Sequence, residues 1–74
     1  MKSDIRLYTS LIIRKDSKYL TGVSPVSGLP EWRSSPWDAW RTRIRANARS
    51  VADKTGGQIY LFNPVVGTLR KYVG

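Results

Sequence analysis

The stretch Ser35-Pro36-Trp37-Asp38-Ala39-Trp40-Arg41-Thr42-Arg43-Ile44-Arg45-Ala46-Asn47-Ala48-Arg49-Ser50-Val51-Ala52-Asp53-Lys54-Thr55-Gly56-Gly57 decides the fold. Its first residues carry a helix-start signal. Ser35 offers a side-chain oxygen to the free backbone N–H groups of a first turn, and Asp38 is placed to reach back toward the cap. Pro36 suits the first helical position, where its missing N–H would go unpaired anyway. Gly56-Gly57 supplies the left-handed stop. The expected helix therefore runs from Pro36 to about Lys54. At about 100° per residue, Trp37, Trp40, Ile44, Ala48, Val51 and Ala52 gather on one apolar stripe. A lone amphipathic helix must bury that stripe against a sheet, which places both tryptophans in the core.

Working outward, the residues from Ile5 to Arg14 alternate. Ile5, Leu7, Thr9, Leu11 and Ile13 share one face, and Arg6, Tyr8, Ser10, Ile12 and Arg14 the other, as in a half-buried strand. Lys15 to Lys18 reads as a polar turn and Tyr19 to Val23 as the returning strand of a hairpin. Ser24 to Pro30 is a loop by composition, and Glu31 to Arg33 has room for a short edge strand. Beyond the glycines, Gln58 to Phe62 is strand-like. Asn63-Pro64 opens a turn that Gly67 closes, and Thr68 to Val73 returns. The expected fold is α+β: a small antiparallel sheet of four strands, five if Glu31–Arg33 joins, with one helix across one face. The order is strand, strand, short strand, helix, strand, strand.

Seventy-four residues are expected to make one domain with modest stability, since a chain of this size buries only about 60% of its unfolded surface. Hydrophobic residues form 41% of the chain, enough for a core. There is no cysteine and no histidine, which removes disulfides, thiolate or imidazole metal sites, and the usual proton-transfer side chain. No cofactor or metal is expected. The five acids Asp4, Asp16, Glu31, Asp38 and Asp53 are scattered, and no phosphate loop or nucleophile motif accompanies them, so an enzyme is not expected. The N-terminus lacks an apolar signal core, and no apolar run is long enough to cross a bilayer. The expectation is a soluble cytoplasmic protein, a short product of the kind phages and mobile elements encode.

Thirteen Lys and Arg against five Asp and Glu give a net charge of +8, which specifies a partner better than it specifies a fold. On the expected helix, Arg41, Arg45 and Arg49 stand four apart in a ridge, with Arg43 and Lys54 toward its other side. Like charges at that spacing destabilise a helix, so the ridge points to phosphate contacts, which guanidinium forks suit. Strand alternation suggests a second surface. If Leu11, Ile13, Ile59, Leu61, Leu69 and Val73 face the helix, then Arg6, Tyr8, Arg14, Tyr60, Arg70 and Tyr72 share the uncovered face. Interleaved rings and cations on an open sheet can hold single-stranded nucleic acid. The leading expectation is a non-enzymatic module binding DNA or RNA in a salt-sensitive way through one or both surfaces. The alternative is a protein-interaction or inhibitory module that covers an acidic protein surface or forms a homodimer through its sheet.

Overall fold

The computed structural model describes residues 9–72. Five strands and one α-helix follow in the expected order: β1 (Ser10–Lys15), β2 (Lys18–Val23), β3 (Pro30–Arg33), α1 (Arg45–Thr55), β4 (Gln58–Asn63) and β5 (Thr68–Lys71). All strand pairs are antiparallel, in the spatial order β3-β2-β1-β4-β5. The Glu31–Arg33 segment is thus a fifth strand, and it lies at an edge, where Pro30 is tolerated. The part of the expected first strand from Ile5 to Tyr8 lies outside the described residues, as does Val73.

A two-residue turn joins β1 to β2, with Asp16 and Ser17 at φ 51° and 68°. Such a mirror-image turn matches the twist of the strands it connects. It fixes Lys15 opposite Lys18 and Arg14 opposite Tyr19. β1 is the central strand, and Leu11, Ile12 and Ile13 are all buried. An unbroken apolar run in a central strand means that both faces are covered. Ile12 was expected on an open face; its 0% exposure corrects that reading.

One face carries the helix. Leu11, Ile13, Leu20 and Ile59 pack there against Ala48 and Ala52, with Trp32, Trp40, Val51, Leu61 and Tyr72 around them. Two small alanines let the helix lie close to the sheet. The other face holds a second cluster of Ile12, Tyr19, Phe62 and Ala39, flanked by Tyr60 and Leu69.

The helix begins at Arg45, not at Pro36. The Ser35 signal is real but serves only one turn of 3-10 helix, Pro36–Asp38, where the Trp37 N–H donates to Ser35 Oγ at 3.3 Å. After that turn the chain is taken by the sheet. The Trp40 N–H donates to Leu20 O at 2.8 Å, and Leu11 and Thr42 exchange backbone bonds of 2.8 and 3.1 Å. Past Arg14↔Tyr19 the register of β1 on β2 stops, and Trp40 to Thr42 fills the gap between them. Tertiary backbone pairing has overridden a local helix propensity.

This displacement corrects the packing expectation too. Trp37 is 53% exposed and Ile44 59% exposed, so neither belongs to the core stripe, whereas Trp40, Ala48, Val51 and Ala52 do. Trp37 instead caps the far face, its ring edge-on to Phe62 at 5.2 Å and its Nε1–H donating to Pro64 O at 3.3 Å.

The glycine pair ends the helix as expected. Gly56 is left-handed, and the N–H groups of Gly56 and Gly57 both donate to Ala52 O. Gly57 has a second reason to lack a side chain: a Cβ there would collide with Ile13 Cγ2.

Candidate nucleic-acid interface

The structure redistributes the basic and aromatic residues singled out in the sequence. Arg6 and Tyr8 lie outside the described residues. Arg41 precedes the helix rather than lying on its ridge. Its Nη2 donates to Trp37 O at 2.9 Å and its guanidinium sits 6.0 Å from the Phe62 ring centre, so it braces the Pro36–Asp38 turn. Only Arg45 and Arg49 remain as a ridge within α1, and Arg43 is exposed two residues before it.

The phase of β5 is opposite to the one expected. Asn63 and Thr68 are paired across a four-residue turn. The buried Asn63 organises that turn: its Oδ1 accepts from the Val65 N–H at 2.9 Å and its backbone oxygen from the Gly67 N–H at 2.7 Å. This register puts Leu69 opposite Phe62, Arg70 opposite Leu61 and Lys71 opposite Tyr60. Because directly paired residues share a face, a one-residue change of phase exchanges every side chain. Leu69 therefore leaves the helix side, while Arg70 and Tyr72 join it. Tyr72 packs on the helix-side core, and its backbone N–H donates to Ile59 O at 3.0 Å.

The helix side consequently gathers Arg45, Arg49, Arg70 and Tyr72, with Arg43 leading into the helix. Arg45 Nη1 donates to Tyr72 Oη at 3.4 Å. That bond, and the charge interaction with the phenol, raise the pKa of a guanidinium that is already a fixed cation at physiological pH. The first turn of α1 has no acidic residue and its Ile44 cap provides no side-chain acceptor. The other end of the helix is conventional. Lys54 stands in the last turn, and Lys15 Nζ donates to Thr55 O at 3.4 Å, so cations meet the negative end of the helix dipole there.

The opposite face is divided. The Pro36–Asp38 turn and Ala39 cover the half containing Ile12, Phe62 and Leu69. On the remaining half, Arg14 is stacked on two rings, 5.7 Å from the centre of Tyr19 and 5.3 Å from that of Tyr60, and its Nη1 donates to Tyr60 Oη at 3.3 Å. Strand register sets Arg33 beside Tyr19 and Lys71 beside Tyr60. This row of Arg33, Tyr19, Arg14, Tyr60 and Lys71 retains Arg14 and Tyr60 from the sequence-based set. It adds three residues that the sequence reading missed. The two-residue Asp16-Ser17 turn was the signal for Tyr19, since it leaves only one antiparallel register. Tyr19 is buried, so its ring serves Arg14 and offers no platform for a base.

No protein-family model, curated protein or solved structure matches this chain. No helix among the described residues is long and apolar enough to cross a membrane.

Proposed function

We propose that this chain is a non-enzymatic nucleic-acid-binding module that holds the phosphate backbone of DNA or RNA with its helix-side arginines. The observation that supports the reading best is the company these cations keep. Arg45 opens α1 at its positive end, where a cation is unfavourable, and it donates to a neutral phenol; Arg43 precedes the helix and Arg49 follows one turn further along. Arg70 adds a fourth cation on the same side of the sheet. Phosphate oxygens would relieve that charge and accept from the guanidinium forks. Stacking of bases on the far face contributes less, because Tyr19 is buried and Arg14 already occupies the tyrosine rings.

Titration of single- and double-stranded oligonucleotides at several salt concentrations tests this. Binding should weaken as salt rises, and Arg45→Ala with Arg49→Ala should lower the log–log salt slope by about two while helical content is kept. Absence of binding at low salt, or binding indifferent to salt, would overturn the reading. The protein-interaction alternative would then replace it, favoured by the exposed Trp37, Val65 and Val66.

A further inference from the structure

Where the β1–β2 turn meets the α1–β4 connection, Arg14, Lys15, Ser17, Gly57, Gln58 and Tyr60 line a shallow concavity of about 450 Å³. It contains none of the four helix-side arginines. Arg14 is its fixed point, immobilised by two rings and by the Tyr60 hydroxyl. Its Nε is enclosed and unbonded, and its Nη2 makes no hydrogen bond among the described residues. A cation held this firmly, with donors left over, is prepared to meet an anion without a further ordering cost.

The surroundings narrow the choice of anion. Lys15 brings a second positive charge, and Ser17, Gln58 and Tyr60 bring polar groups. Asp16 also lines the concavity and repels an anion at its own corner, which favours a ligand seated toward Gln58 and Tyr60. The Gly56 and Gly57 N–H groups are both committed to Ala52 O, so side chains rather than backbone would grip the ligand. No side chain can intrude from position 57, because Ile13 occupies that space.

We propose that this concavity binds a phosphate monoester, with Arg14 Nη2 and Lys15 Nζ as its charged donors. A monoester brings up to two negative charges and three free oxygens, against one charge and two free oxygens for an internal phosphodiester, so it gains more from the two cations despite the Asp16 carboxylate. That chemistry occurs at the end of a nucleic-acid strand and on a free nucleotide.

The test compares a 5′-phosphorylated oligonucleotide with its 5′-hydroxyl twin, and follows the Ser17 and Gly57 amides by NMR during titration with a nucleoside monophosphate. The phosphorylated strand should bind about tenfold more tightly if the terminal group is the source, as expected for one added charge-assisted bond. If the free nucleotide is the source, the two strands bind alike while the nucleotide shifts both amides. Lys15→Ala, at an exposed position, should abolish either signal, and Arg14→Lys should abolish it as well. Arg45→Ala should weaken both strands equally and leave their ratio unchanged. Equal binding of the two strands, together with unmoved Ser17 and Gly57 amides, would overturn the proposal. Amide shifts with the nucleotide but no binding of either strand would overturn the helix-side reading alone.

Discussion

On the helix side of the sheet, Arg45 is exposed and donates to the hydroxyl of Tyr72; on the other side, Arg14 is half-buried between Tyr19 and Tyr60 and donates to the hydroxyl of Tyr60. The chemical pair is the same and the consequence is not. In water, an arginine–phenol contact contributes little to stability and leaves the cation available. Half-buried between two rings, it holds a strand pair together and fixes the guanidinium in one orientation. Each face has its own apolar cluster, too. The helix closes one, and a single turn with one tryptophan closes the other. A surface arginine's role is thus set by what lies beneath it, not by its neighbours in the chain.

The comparison breaks first if the far face is not a true core. Phe62→Ala removes a fully buried ring there and should cost about 3–5 kcal/mol in urea unfolding, enough to unfold much of so small a domain. A loss under about 1 kcal/mol would mean that only the helix side supports the fold. Gly57→Ala probes the helix side, because its Cβ meets Ile13 in that core. About 1–3 kcal/mol of destabilisation is expected by the same measurement, with helical content falling only as the whole domain unfolds. The finest distinction comes from removing one hydroxyl on each face. Tyr60→Phe should lower stability by about 1 kcal/mol, since Arg14 loses a partner in a part-buried setting. Tyr72→Phe should leave the unfolding midpoint unmoved, because Arg45 is solvated. Equal effects would erase the difference between the two arginines.

Much of the architecture was legible in the sequence, because its signals were local and mutually consistent. Alternation gave the β1–β2 hairpin, Gly56-Gly57 gave the end of the helix, and Asn63 to Gly67 gave the last turn. The start of the helix was misread for a physical reason. Ser35 and Pro36 describe one turn faithfully, but nothing at those positions reveals that Leu11 and Leu20 supply backbone partners to the residues that follow. The error then spread. Trp37 and Ile44 were assigned to the core, and Arg41 to the ridge, through a helix that had not yet begun. The β5 phase failed separately, because Leu69 and Val73 look like an inward pair until the Asn63↔Thr68 register is known. Of the candidate site, Arg43, Arg45 and Arg49 stayed close along the chain, and Arg14 and Tyr60 stayed on one face. The grouping of Arg70 and Tyr72 with the helix required the register.

The segment from Trp40 to Thr42, lodged between β1 and β2, also constrains the order in which the chain can fold. The hairpin can zip from its Asp16-Ser17 turn only as far as Arg14 and Tyr19. Beyond that point the facing backbone groups of Leu11 and Leu20 wait for a stretch of chain from the far side of β3. The fastest local event is therefore left incomplete, and its completion is tied to closing a long loop. Once that loop has closed, β2 and β3 cannot peel away from β1 without also releasing the strand segment that leads into the helix. The wedge makes the two halves of the sheet, and the helix with them, one cooperative unit.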